Sequence, residues 1–291
     1  MNDCPQVEGL SRRRFLMHDS TVETKYLTLQ EIQGELLSML KVVGPWFREH
    51  GIRYSLSDGT LLGAVRHKGF IPWDDDLDIC MPRPDYEKRL GLVDEFRAET
   101  GFDISSVRNG TYHYPFSKVT NPVIRAQELS VEGSYEGYLW IDVFPVDGVP
   151  DGDAEYAKLL RYRHLRLKLI NLAFTKGSKN KAKAAFKAAV QPVFRLLFNP
   201  VKLASQIDER CKQIPFETAN RVACSVYDIT SKGRSFPREG LENTVMISFC
   251  DTEQPCMSCW DEYLTNSYGD YMQLPPEEDR WHHPQKTWRV K

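Results

Sequence analysis

Four aspartates in Trp73-Asp74-Asp75-Asp76-Leu77-Asp78 are the side chains of this chain best suited to hold a divalent cation. Asp76 and Asp78 are one residue apart, so a strand puts both carboxylates on one face while Leu77 and Ile79 point into the core. Two like charges held that close repel. A cation between them removes the cost, and carboxylate and phosphate oxygens are the ligands that Mg²⁺ prefers. The competing reading of an acidic run is a solvated turn. A further carboxylate, Asp142, lies inside the apolar stretch Trp140-Ile141-Asp142-Val143-Phe144. A buried aspartate there needs either a metal or a basic partner, for which Arg125 and Lys118 are the candidates.

Upstream of the acidic run, Ser57-Asp58-Gly59-Thr60 forms a small turn before an apolar stretch, Leu61 to Val65. Strand, small polar turn and helix start follow in the order used by sites that hold phosphate on free backbone N–H groups. Arg66-His67-Lys68 then supplies cations for a diphosphate. Taken singly, the turn residues cap a helix and the basic triplet faces water. Their coincidence within about twenty residues of Asp78 favours a phosphoryl-transfer site, in which Trp73 stiffens the approach or stacks on a base.

These residues need elements to place them. Thr28-Leu29-Gln30-Glu31 reads as a capping box for a helix whose apolar positions run from Ile32 to Phe47, with a kink allowed at Pro45 and an end at Gly51. Ile52 to Leu56 and Leu77 to Met81 read as strands, and Asp85 to Phe96 as a helix. Tyr114 to Val119, Val123 to Gln127 and Tyr138 to Phe144 read as further strands, the last closed by Pro145 and the turn Asp147-Gly148. From Asp153 the pattern becomes helical, with Leu159, Tyr162, Leu165, Leu169 and Leu172 on one face. Phe186, Val190, Val193, Phe194 and Leu197 form another.

The predicted class is α+β, a mixed sheet flanked by helices with a basic helical insertion. The predicted parts are a flexible tail over 1–20, a catalytic core over 21–150, the insertion over 151–210 and a C-terminal part over 211–291 that completes the core and the acceptor site. Residues 151–202 hold 12 Lys or Arg against 3 Asp or Glu, a local charge of +9 in a chain of net charge −2. That balance gives no global signal for nucleic acid. A hydrophobic content of 41% supports a buried core, and no apolar run suits a signal peptide or a membrane span, so a cytoplasmic location is expected. Seven cysteines fit reduced thiols. Cys256-Met257-Ser258-Cys259 has the spacing of half a zinc site, without a second pair.

The motifs resemble those of the LicD family of phosphocholine transferases. The resemblance lies in Tyr54 to His67, Gly69 to Asp78, Gly137 to Gly148 and Tyr268 to Glu278, and it spans most of the chain from about Thr28 to His283. It implies a nucleotidyltransferase fold shared with fukutin-related ribitol-phosphate transferases. It also implies transfer of a phospho-alcohol, most often phosphocholine from CDP-choline, onto a glycan hydroxyl. Carried over by position, Asp76, Asp78 and Asp142 fall on the catalytic acids that bind Mg²⁺ or Mn²⁺. Ser57, Asp58, Gly59 and Thr60 fall on the phosphate loop, although the wider superfamily often has Gly-Ser or Gly-Gly there. Lys118, His282 and His283 are candidates for phosphate or acceptor contact. Trp281, Tyr112 or Tyr114 are candidates for a choline box.

The implied partners are a CDP-alcohol donor and a glycan or lipid-linked glycan acceptor. The basic insertion is a candidate for peripheral contact with the inner face of the membrane, against the plainer reading of helices that cover the core. The same three carboxylates would also serve transfer of NMP from an NTP, and a non-catalytic glycan-assembly scaffold is a third reading. Retention of three acids around one point argues against the scaffold.

Overall fold

The computed structural model describes residues 25–128, 136–174, 181–227, 234–280 and 285–290. The tail expected over 1–20 lies outside them, as do Trp281, His282 and His283. In chain order the elements are α1 (Leu29–Glu49), β1 (Ser55–Leu56), α2 (Asp58–His67), β2 (Asp78–Pro82), α3 (Arg83–Leu90), α4 (Val93–Thr100), β3 (Asp103–Ser105), β4 (Ser117–Glu128) and β5 (Glu136–Gly148). They continue with α5 (Asp153–Phe174), α6 (Lys181–Leu197), α7 (Pro200–Cys211), β6 (Arg221–Ala223), β7 (Phe236–Pro237), α8 (Arg238–Glu242), β8 (Val245–Phe249), β9 (Thr252–Cys256), α9 (Trp260–Tyr268) and β10 (Gln285–Arg289).

One mixed sheet runs in the order β10-β4-β5-β2-β1-β9-β8, with β3 added to β4 and β6 and β7 continuing from β5. The α+β class with flanking helices is as the sequence predicts. Strand β2 lies at the centre, antiparallel to β1 and parallel to β5. Its residues are all buried, which explains the apolar Ile79-Cys80-Met81 that follow the aspartate. Helix α1 starts on the predicted capping box, in which Thr28 Oγ1 accepts from the Glu31 N–H and Glu31 accepts from the Thr28 N–H. It continues through Pro45.

Several boundaries differ from the sequence reading, each for a local reason. The expected strand Ile52 to Leu56 keeps only Ser55 and Leu56 in the ladder, because β2 and β9 meet it only there. The helix expected over 85–96 divides at Gly91, a poor helix former, so Arg83 to Leu90 and Val93 to Thr100 are separate. The two strands expected around Asn121-Pro122 are one, β4, with a register shift between Asn121 and Arg125 where Pro122 cannot donate. Pro145 does not close β5, which runs to Gly148 because β6 pairs with Asp147 and Gly148.

Asp147 is therefore no turn residue but a fully buried carboxylate held by Arg83, with Nε to Oδ1 and Nη2 to Oδ2 both at 2.7 Å. Arg83 Nη1 also reaches Asp208 Oδ1 of α7 at 2.7 Å, and Arg108 holds the other Asp208 oxygen at 3.0 Å. Helix α7 of the insertion is thus bonded to the central sheet through one guanidinium. The apolar core is continuous with it, since Leu159, Ile170, Ala204 and Ile207 join the cluster built around Leu36, Leu56 and Ile79.

Removing one member of such a buried pair leaves a desolvated charge. Urea unfolding of Arg83→Ala is expected to show a loss of about 3–5 kcal/mol, and Arg83→Met combined with Asp147→Leu a smaller loss than Arg83→Ala alone. Equal losses in the two variants would mean that the packing around Arg83, and not the pair, carries the stability.

Candidate active site

A cleft of about 800 Å³ opens at the end of β2, and among its lining residues are Asp58, Asp74, Asp76, Asp78 and Asp142. Backbone register brings the last two together, for Asp78 on β2 lies directly beside Asp142 on β5 and the Asp142 N–H donates to Leu77 O at 2.9 Å. Leu77 and Ile79 are fully buried, but the strand begins only at Asp78, so Asp76 reaches the cleft from the loop before β2 and not from the strand face that the sequence predicts. Burial first, and then the charges of Asp76, Asp58, Asp142 and Asp74, push the Asp78 carboxyl well above the ordinary carboxylate range.

The Ser57-Asp58-Gly59-Thr60 turn fixes this strand more than it offers a phosphate seat. Thr60 Oγ1 accepts from the Asp78 N–H at 2.8 Å, and the Ser57 N–H donates to Asp78 O at 3.1 Å. Both side chains are buried, and neither lines the cleft. Asp58 and Gly59 do line it, but the α2 N-terminus carries carboxylates there. Asp58 sits in the left-handed region at φ 45° and pairs with Arg234 at 2.9 Å. A Cβ on Gly59 would stand 2.9 Å from Asp74 Oδ2, so glycine is what admits Asp74 to this helix end.

The two aspartates without a role in the sequence reading differ. The loop that carries them is tied from both sides: Gln33 Nε2 donates to Asp74 O at 2.8 Å, and Gln285 Nε2 to Asp75 O at 2.9 Å. Asp74 faces the cleft, whereas Asp75 is buried away from it.

Both oxygens of Asp142 are held. Trp140 Nε1 donates to Oδ2 at 3.0 Å, and Lys118 Nζ lies 3.3 Å from Oδ1. The ion pair anticipated for Asp142 thus forms with Lys118, its register partner on β4. Lys118 Nζ also lies over the Trp140 ring at 3.6 Å and the Tyr112 ring at 5.1 Å. From there an aromatic wall continues through Tyr114, Phe116, Phe144 and Tyr227. Tyr227 packs 4.9 Å from Phe116 and 5.7 Å from Tyr114 between ring centres.

Of Arg66-His67-Lys68 only Arg66 lines the cleft. Its Nη1 donates to Tyr271 O at 2.9 Å, which clamps the segment after α9 over the opening. His67 is turned edge-on to Trp73, and burial followed by the Arg66 charge lowers its pKa. Lys68 is exposed at the end of α2. Trp73 lines the cleft with the Arg280 guanidinium 4.5 Å from its ring centre. Cys256 and Cys259 are separate: burial raises both thiols to about 11, and among the described residues neither joins a group of three metal-binding side chains.

The sequence reading did not single out Arg234, Tyr227 or Asn171 as site residues. They lie far from the motifs along the chain, and no spacing points to them. For Tyr268, Asp270 and Tyr271 a signal existed, since they lie in the last of the motif segments.

A family profile described as "LicD/FKTN/FKRP, nucleotidyltransferase domain" matches residues 51–203, which contain β1, α2, β2 and β5. The chain is 30% identical over 272 residues to "Lipopolysaccharide cholinephosphotransferase LicD" of Haemophilus influenzae, covering 91% of this chain and 99% of that protein.

The chain belongs to the LicD family.

A more distant relative, human "Ribitol 5-phosphate transferase FKRP", is 27% identical over 95 residues, 33% of this chain and 17% of that protein. Asp76, Asp78 and Asp142, on which the motif resemblance falls, line the cleft together with Asp58 and Asp74. Their donor set is all oxygen, the choice of a hard divalent cation, and the repulsion around Asp78 is what such a cation relieves. Their chemistry suits Mg²⁺ or Mn²⁺, but among the described residues their carboxylate oxygens do not all come within 4.8 Å of one another, so a shared ion would require the three side chains to draw together.

Relief of that repulsion is measurable without turnover. Asp78→Asn is expected to raise the melting temperature in chelator by about 2–4 °C, and to abolish the further rise that Mg²⁺ gives the unaltered protein. A variant that melts lower and still responds to Mg²⁺ would show that Asp78 is not a cation ligand.

Proposed function

We propose that this LicD-family phosphotransferase moves phosphocholine from CDP-choline to a hydroxyl of a glycan or a lipid-linked glycan, with Mg²⁺ or Mn²⁺ bound and CMP released. The observation that carries the reading is the single cleft that joins a carboxylate cluster to an aromatic wall. The ring faces of Trp140 and Tyr112 already attract one cation, the Lys118 ammonium. A quaternary ammonium seeks the same kind of surface in Tyr114, Phe116, Phe144 and Tyr227. The chemistry printed in the name of the Haemophilus relative agrees with that cargo.

Asp76, Asp78 and Asp142 would hold the cation. When bound, it would offset the charge of the donor diphosphate. The acceptor oxygen forms a bond to the choline-bearing phosphorus as the bond from that phosphorus to the bridging oxygen breaks, and CMP leaves with the electron pair. Asp142, oriented by Trp140 and Lys118, would accept the hydroxyl proton. Lys118 and Arg234 bring positive charge to the walls that the phosphates approach, each alongside an aspartate of the cluster. Arg66 holds the backbone of Tyr271 and so fixes the C-terminal side of the opening. Action in the cytoplasm is part of this reading. Among the described residues no helix is long and apolar enough to cross a membrane.

Release of CMP from CDP-choline, CDP-ribitol and CDP-glycerol with glycan acceptors tests the proposal. Turnover is expected with CDP-choline, and Tyr227→Leu should raise its KM about tenfold while leaving that of any uncharged CDP-alcohol little changed. Turnover with a nucleoside triphosphate and none with a CDP-alcohol would overturn it.

A further inference from the structure

Helix α6 is turned inside out. A surface helix ordinarily buries its apolar stripe, yet Phe186 is 69% exposed, Val193 54%, Leu196 86% and Leu197 66%, while Gln191 is only 6% exposed. Phe186, Val193 and Leu197 fall at i, i+7 and i+11, within one stripe, with Leu196 beside it. The residue that α6 buries most deeply here is polar: Gln191 Nε2 donates to Ala173 O at 2.9 Å, and the exposed Arg195 reaches the same carbonyl through Nε at 3.0 Å, while Val190 and Phe194 are half-buried. The sequence pattern places Phe186, Val190, Val193, Phe194 and Leu197 on one face, of which Phe186, Val193 and Leu197 are exposed and Val190 and Phe194 half-buried. A stripe of this kind calls for an apolar cover outside the fold.

Charge decides between the covers. Helix α6 contains Lys181, Lys183, Lys187 and Arg195 and no acidic residue, within the segment of local charge +9. On the neighbouring α5, Arg161, His164, Leu165 and Lys168 are all exposed, at the spacing of one helical face. A second copy meeting α6 through a two-fold axis would set this basic face against itself. An anionic lipid surface matches both the apolar stripe and the positive charge, in the manner of helices that lie in the plane of a membrane interface. The face is also joined to the cleft. Ala173, whose carbonyl anchors α6, is two residues from Asn171, which lines the cleft and accepts from Tyr114 Oη at 2.7 Å.

We infer that α6 docks flat on an anionic lipid surface through Phe186, Val193, Leu196 and Leu197, and so seats the cleft beside the membrane. This holds whichever phospho-alcohol the cleft takes.

The full chain can be sedimented with vesicles of phosphatidylcholine alone, or with about one-third phosphatidylglycerol. Binding is expected to the anionic vesicles, to weaken with added salt, and to fall at least about tenfold in Leu196→Ser combined with Leu197→Ser. Both side chains are exposed, so the thermal melt and CMP release with a water-soluble acceptor should stay as in the unaltered protein. Absence of binding, equal binding by the double variant, or a dimer in light scattering that the double variant dissociates would each overturn the inference.

Discussion

The structure turns on holding several carboxylates around Asp78, a side chain that is almost fully buried. Charges of one sign converge there from the end of α2, the acidic loop, β2 and β5, and each source is fixed by a bond that does not involve its own carboxylate. Asp78 is held through its N–H by Thr60, Asp142 through the backbone of Leu77, and the loop through Gln33 and Gln285. Backbone anchors hold the charged groups near one another, and the proposed cation would draw on that arrangement.

Two basic side chains temper the cluster without neutralising it. Lys118 and Arg234 each pair with one aspartate, Asp142 and Asp58. Asp78 keeps its displaced pKa despite them. Distant parts of the chain supply the remaining walls: Asn171 from the insertion, Tyr227 and Arg234 from the stretch after it, and Tyr271 under the Arg66 clamp. The Arg83 pair bonds α7 to β5, the strand that carries Asp142.

Much of this could be read from residue order, because it is local. A capping box, an apolar strand running on from Asp78 and an aspartate inside an apolar run each carry their own physical reason. What could not be read is contact between distant segments. Thr60 looked like a phosphate ligand because a helix start follows it, yet its hydroxyl accepts from a strand 18 residues on. His67 belongs to a basic triplet, yet burial lowers its pKa. Asp147-Gly148 has turn composition, but pairing with Arg83 overrides local preference. The apolar pattern of α6 marks the right residues and says nothing about which way they face.

The most direct measurement is anomalous diffraction from crystals grown with Mn²⁺ and CDP-choline. The predicted result is a manganese peak among the carboxylates of Asp76, Asp78 and Asp142, with the donor diphosphate in the same cleft. A diphosphate bound in the cleft with no metal at those three aspartates, or a metal held elsewhere, would contradict the assignment of the acidic strand as the cation site.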